Sequence, residues 1–418
     1  MRFISTAAMR LLPILIILQV SYSQNPANAE SPSPSSIAER IYNRIIPLNG
    51  VERLKPQELW RAGGEDDEIF FGNIQNVLSD QGGNIYLLDT QLFQILVYTP
   101  DGRFRGTLGR QGEGPGEVRN LTDMLFLPDG TLGLGQAFPG KIIKLDLGGN
   151  PAGSIDLCST SIESGNLIVF LAGKSINDLI LLAGMRWHPD ESGLMQQNMF
   201  LSRFDPKGLE QICYHKKVSS VNLAEFAFDE MQFDFIWSRF AILPNDNICF
   251  APYRNLYEIH ICNKDAEIIK IISKEYESLK RDDRGKKNAL LTGEATGRNY
   301  GVPVKSVKVE DTEPDITALQ PAQDGSLWVQ TSRGDHLSPD GIFTTFDFFD
   351  SEGIFLKQVE VEVPGKATED DIYILPNKRI IVVRGTVAAY QRESSVSNSD
   401  KELAGEDGLL EVICYLIP

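Results

Sequence analysis

Short apolar strands preceded by polar turns recur along the chain. The unit occurs six times, as SDQGGNIYLLD (79–89), LPDGTLGLG (127–135), SINDLILLAG (175–184), LPNDNICFAP (243–252), AQDGSLWVQT (322–331) and LPNKRIIVVR (375–384). Asp, Asn and Gly make the turn because they tolerate left-handed backbone or bond their own main chain, and the residues that follow favour strands. A second unit trails the first by some twenty residues: apolar strand, turn, strand. It is found at 95–109, 142–157, 200–214, 259–273 and 345–361, each a strand-turn-strand signal.

Together the two units predict four short antiparallel strands per repeat. The matched positions Ile85, Leu132, Ile180, Ile248, Leu327 and Ile380 are spaced by 47, 48, 68, 79 and 53 residues. The first two spacings suit a propeller blade, and the longer ones imply insertions at loops. Six such units in a ring bury both faces of every sheet, which explains strands as uniformly apolar as LILLAG and RIIVVRG. The sixth repeat lacks an outer hairpin after its last strand, EVICYLIP (411–418), so a strand from 45–60 is expected to close the ring. The polar stretch 391–408 is expected as a long exposed loop.

Between the first and second repeats lies GRQGEGPGEV (109–118). Its glycines read G-x-G-x-G, no Lys-Ser/Thr follows, and Glu113 and Glu117 would repel an anion, so a phosphate cradle is disfavoured. The segment is expected instead to carry the chain from the rim of one blade to the centre of the next, where glycines permit a sharp path and Pro115 stiffens it.

The first forty residues follow a different pattern. Arg2 and Arg10 flank LLPILIILQV (11–20), and the small residues Ser21 and Ser23 precede Gln24. This reads as a signal peptide over 1–23, too short an apolar run to span a bilayer. A second possible cut follows Ala29. Residues 24–40 read as a flexible Pro/Ser-rich linker, and 41–418 as one propeller domain.

The formal charge is −17, with 42% hydrophobic and 23% charged residues. That acidity excludes a nucleic-acid binder, which needs clustered Lys and Arg. The nearest cluster, KRDDRGKK (280–287), is interrupted by aspartates and reads as a solvated loop. Five cysteines, Cys158, Cys213, Cys249, Cys262 and Cys414, show no C-x-x-C spacing. A hairpin centred on Asn255 and Leu256 would set Cys249 opposite Cys262, either as a disulfide or as two buried thiols; facing strand residues suit disulfide geometry poorly. None of the four histidines, His188, His215, His260 and His336, pairs at ligand spacing, and His260 reads as a core residue. The acid cluster at 63–68 reads as a solvated loop.

GNIYLLD, QILVYTPDGRFRGTLG and GRQGEGPGEV, over 72–120, resemble the NHL-type six-bladed β-propellers, especially exported bacterial members of unknown function. The resemblance implies an all-β six-bladed fold. It also brings in lyases and calcium-dependent lactonases whose metals sit in the central channel. Calcium would need several oxygen ligands, and acids are plentiful. No catalytic residue, metal ligand or cofactor is assigned.

Propeller geometry places a pocket at one channel mouth, lined by strand ends and inter-blade loops. Alignment of the repeats offers Asp89, Gln91, Gln136, Trp187, His188, Tyr253, Arg254, Arg333 and Arg384. Arginines with a tryptophan and a tyrosine suit an acidic or sugar-like ligand, through charge-assisted bonds and ring stacking. The chain therefore reads as an exported propeller that binds a protein or a small polar ligand; the alternative is a calcium- or zinc-dependent lactonase or lyase. Mass analysis of protein recovered from the cell envelope should show a chain starting at Gln24. A start at Met1 would overturn the export expectation, and one at Glu30 would move the cut to the second site.

Overall fold

A computed structural model describes residues 38–64, 69–157, 167–191, 193–394 and 409–418. Residues 1–37, where a signal peptide and a linker are expected, acids 65–68, Cys158 and the stretch 395–408 lie outside the described residues. The protein is a six-bladed β-propeller: blade 1 spans 74–108, blade 2 121–156, blade 3 167–221, blade 4 240–274, blade 5 316–361 and blade 6 371–416. Within each blade the strands lie in chain order, the first innermost, except that the outermost strand of blade 6 comes from residues 57–63. The six innermost strands surround a central channel of ≈ 430 Å³.

The even apolarity of the blades has a simple cause. Successive side chains on a strand point to opposite faces, and in a propeller each face meets a different neighbour. Ile85 and Leu87 enter the core between blades 6 and 1, whereas Tyr86 and Leu88 enter the core between blades 1 and 2. Likewise Ile380 and Val382 face blade 5, and Ile381 and Val383 face blade 1. Each inter-blade space holds one apolar cluster, so the protein has a divided core.

The chain's beginning is distributed over three blades. Strand β1 (Glu39–Asn43) pairs in parallel with the outermost strand of blade 4, setting Ile41 against Ile272. Strand β2 (Val51–Leu54) does the same on blade 5, with Val51 against Gln358. Strand β3 (Gln57–Gly63) pairs antiparallel with Glu411–Leu416 and supplies the outermost strand of blade 6. The expected closure is thus made by 57–63. The two parallel additions are not legible in the sequence, because β1 and β2 lie on an edge, and only Leu54 of the two is buried. Asn43 bridges blades 4 and 5: its Nδ2 donates to the carbonyls of Ser273 (3.2 Å) and Gly353 (3.0 Å), and its Oδ1 accepts from the Phe355 N–H (2.8 Å).

At the seam, Trp60 of β3 stacks on Tyr98 of blade 1 with centroids 5.3 Å apart. It also covers the turn at Gly102, whose φ is +83° and where a Cβ would lie 2.4 Å from Trp60 Cγ. Only glycine fits there on both counts.

The 109–118 segment is the expected connector from the rim of blade 1 to the centre of blade 2. It is stapled by its own residues: Glu117 accepts from the Gly114 N–H (2.9 Å) and pairs with Arg110 (2.6 Å). At Gly112, φ +157°, a Cβ would fall 1.9 Å from Glu117 Oε2. The glutamates that argue against a phosphate loop hold this one in shape.

Three expectations are corrected. The hairpin register sets Cys249 opposite Ile261 and Cys262 opposite Ile248, one residue from the expected centre, and both thiols are free and buried. Residues 283–287 open a helix rather than a loop, and Arg281 beside them is buried. Residues 391–394, expected in a loop, end a helix. Among the described residues the helices are α1 (Glu230–Phe233), α2 (Asp283–Asn299), α3 (Ser332–His336) and α4 (Thr386–Ser394). None of the described helices is long and apolar enough to cross a membrane.

Trp60→Ala should lower unfolding free energy by about 3 kcal/mol or more, since it removes a buried aromatic at the ring's seam. Tyr42→Ala on β1, at a side chain 74% exposed, should change it by less than ~0.5 kcal/mol. Urea unfolding of the two variants checks the contrast; equal losses would overturn the role given to the seam.

Candidate functional site

The two mouths of the channel are unequal. Innermost strands begin, and second strands end, at the same mouth, and the long insertions 222–239 and 275–315 lie there with the helix-bearing segment 385–394. The opposite mouth carries only the short turns that mark the repeats. The first two insertions are tied by a parallel pair, Ala227–Asp229 with Ser306–Lys308. Helix α2 lies close against this pair because Gly293 has no side chain: a Cβ there would sit 2.5 Å from Val307 and 2.8 Å from Phe228. Asp282 caps the helix, accepting from the Gly285 N–H at 2.7 Å. Gln391 of α4 donates to Asn288 of α2 at 3.4 Å, so the two helices cover the mouth together.

Beneath them lies a cavity of ≈ 170 Å³. Its wall is largely aromatic: Phe228, Phe233, Phe235 and Trp237 from the first insertion, Tyr300 from the end of α2 and Tyr390 from α4, with Met185 and Met199 of blade 3 behind them. Phe228 and Phe233 stack at 5.0 Å, and Phe235 leans on Trp237 at 4.8 Å. Gln197 Nε2 donates to the Tyr300 hydroxyl at 3.0 Å, and burial pushes that phenol well above its usual range. Trp237 lines both this pocket and the central channel, so the two spaces adjoin. Its indole N–H has no acceptor among the described residues.

The charges around the pocket are paired with one another. Glu230 Oε1 accepts from Arg254 (3.0 Å) and Arg281 (2.7 Å); Oε2 accepts from Arg281 (2.6 Å) and from the Glu310 N–H (2.8 Å). Four donors fill the carboxylate. Burial pushes its pKa up, but the Arg281 hydrogen bonds and the Arg254 charge outweigh that and hold it below the ordinary carboxylate range. Arg281 also lies 3.1 Å from Glu313. Arg239 donates to Asp234 at 2.7 Å and to the Phe235 carbonyl at 2.8 Å. Behind Phe235, His215 stacks at 5.4 Å; burial and then the neighbouring His260 push its imidazole down to about 4, which keeps it neutral at pH 7.

The residues selected from the sequence stand at this same mouth, one strand farther from the axis than expected, because the strand after each turn is the second of its blade. Asp89 is fully buried and accepts from the N–H groups of Gly72, Asn73, Gln91 and Leu92, which fixes its loop; the Gln91 side chain is exposed. Gln136 accepts from the Arg119 N–H at 3.0 Å. Arg254 is 2% exposed and locked in the Glu230 pairs. Arg333 pairs with Glu277 and Arg384 with Glu411, both at the surface. Tyr253 is exposed, its ring edge-on to His260. His188 is half-buried, and Trp187 packs edge-on against Tyr300 at 5.1 Å, so it touches the pocket wall, as Arg254 does through Glu230.

The pocket aromatics were missed, although the sequence carries a signal for them. EFAFDEMQFDFIW (225–237) sets five aromatic residues in a spacer between repeats, where an exposed loop would be polar. Among the described residues, no group of three or more His, Cys, Asp or Glu is placed to hold a metal ion.

Residues 65–178 match the family model DUF5128, described as a 6-bladed beta-propeller. No curated protein matches the chain in sequence. Among solved structures, a member of the duf4221 family from Bacteroides vulgatus aligns with 8% identity and a TM-score of 0.51, covering 87% of this chain and 98% of its own. A Bacteroides fragilis protein described as exported aligns with 10% identity and a TM-score of 0.43, covering 88% and 99%. Regucalcin, a calcium-binding protein of Agrobacterium tumefaciens, aligns with 12% identity and a TM-score of 0.42, covering 89% and 98%. At these identities the likeness is one of fold.

Glu230→Gln should cost about 3 kcal/mol, because Arg254 and Arg281 would be left buried with one carboxylate fewer. Since folding lowers the Glu230 pKa, its contribution is full above the unfolded value of about 4.3 and is lost as pH falls through the folded one. Urea unfolding between pH 6 and 3 should therefore show a flatter acid limb in the variant; parallel curves would overturn the assignment.

Proposed function

We propose that the protein is an exported binding module that takes a small ligand into the aromatic pocket beneath α2 and α4. One observation carries this: segments far apart in the chain, 222–239, 275–315 and the helix at 386–394, all leave the blades at the same mouth and meet around a single cavity. A propeller needs none of them to fold, since blades 1 and 2 are complete without insertions. Export is supported by the leader, with its basic start, short apolar run and small residues before Gln24. The cavity is concave, apolar and furnished with a few polar groups, as small-molecule sites are. A metal-dependent lactonase or lyase would require acids or histidines from several blades to converge on the channel, and the paired carboxylates at this mouth are occupied by arginines.

The test is a thermal-unfolding screen of the mature protein against small molecules, repeated on Thr292→Trp, which fills the pocket from α2 without touching a charged pair. A ligand at 100 times its Kd should stabilise the native protein by about 2.7 kcal/mol, and the variant should lose that stabilisation while folding normally. A ligand shift that survives in the variant would place binding elsewhere. A shift abolished by EDTA and restored by calcium would favour the enzyme reading.

A further inference from the structure

The pocket's chemistry narrows what it accepts, an inference that rests on the pocket being the binding site. Glu230 has a donor on each of its four acceptor positions, and Asp234 and Arg239 neutralise each other. A charged ligand would find no free counter-charge there, and its transfer from water would go uncompensated. The walls offer ring faces and edges, which suit a flat ring packed offset or edge-on. Size sets a further bound: a dry cavity of about 150 Å³ holds one benzene ring, and this one measures ≈ 170 Å³.

Two polar groups at the wall are unengaged. The Tyr300 hydroxyl accepts from Gln197 and keeps its own hydrogen to donate. Asn299, half-buried one residue earlier, has a side-chain amide with no hydrogen-bond partner among the described residues. Buried donors left without acceptors are costly, so a bound molecule that supplies acceptors gains from both of them. We infer that the pocket selects an uncharged, planar, single-ring small molecule carrying a hydrogen-bond acceptor on its edge.

The experiment is a titration of the mature protein, followed by calorimetry and ligand-observed NMR, with four probes of similar size: p-cresol, benzoate, benzylamine and 4-methylcyclohexanol at pH 7. The first is neutral and flat, the next two carry a negative or a positive charge on a benzene ring, and the last keeps the hydroxyl on a puckered ring. p-Cresol should bind, and each of the others should bind at least about tenfold more weakly. Tyr300→Phe, which keeps the ring and removes the hydroxyl, should weaken p-cresol about three- to tenfold. Charged probes that bind as well as p-cresol, in a manner blocked by Thr292→Trp, would overturn the inference and leave the site standing. p-Cresol binding that ignores Thr292→Trp would remove the site as well. Failure of all four probes to bind would overturn the inference alone, because the wider screen tests the site independently.

Discussion

Everything in this fold depends on a ring being closed by two strands from opposite ends of the chain. Glu411–Leu416 would be an open edge without Gln57–Gly63, and the core between blades 6 and 1 would lose Trp60 and Ala62. Because each inter-blade space has its own apolar cluster, the ring has no central core to fall back on. Closure converts six sheets, each needing a neighbour on both faces, into a structure in which every face has one. The same closure fixes the channel, and the channel fixes where insertions can meet.

The capped mouth shows how a scaffold of repeats becomes asymmetric. Blades 1 and 2 keep the shortest connections, whereas blades 3 to 6 contribute the material over the channel. That material is held by charge as well as by packing. Glu230 stands at the start of α1, Arg254 lies between the second and third strands of blade 4, and Arg281 and Glu313 bracket α2, so one carboxylate joins the first insertion to the second. Lys217 of blade 3 adds a further tie, donating to the carbonyls of Met231 and Asp234 where α1 ends. Such buried pairs contribute more to a unique geometry than to net stability, and geometry is what a pocket wall requires.

The fold was legible in the sequence and the site was not, for a common physical reason. Strands and turns are local: Asp, Asn and Gly at turns and apolar runs after them announce each blade, and the spacing between Ile85 and Leu132 gives the period. The need for a closing strand could be inferred by counting strands in the sixth repeat. The parallel additions of β1 and β2 leave no such trace, since an edge strand with one solvated face needs little apolar patterning. The pocket is the opposite of local. Phe233, Tyr300 and Tyr390 meet only because three insertions share a mouth, and the repeats themselves carry no information about that meeting. Residues chosen by repeat alignment were therefore those the repeat controls, such as Asp89, which holds its own loop, and Arg254, which holds the first two insertions together. Trp187 reached the pocket wall through Tyr300, and Arg254 through Glu230.

The lacing of residues 39–63 over blades 4, 5 and 6 sets an order of events in time. Asn43 bonds partners 230 and 310 residues away, and Arg61 reaches Glu411 across 350. The entropy of closing such loops grows only slowly with their length, so the delay is one of delivery rather than of energy. Residues 39–63 emerge early during synthesis, and their strand partners follow only at 268–274, 355–361 and 411–416. For a polypeptide delivered from one end, that is a built-in timer: the ring cannot seal until the final strand has arrived, and a chain cut short before residue 411 would leave 57–63 unattached to blade 6.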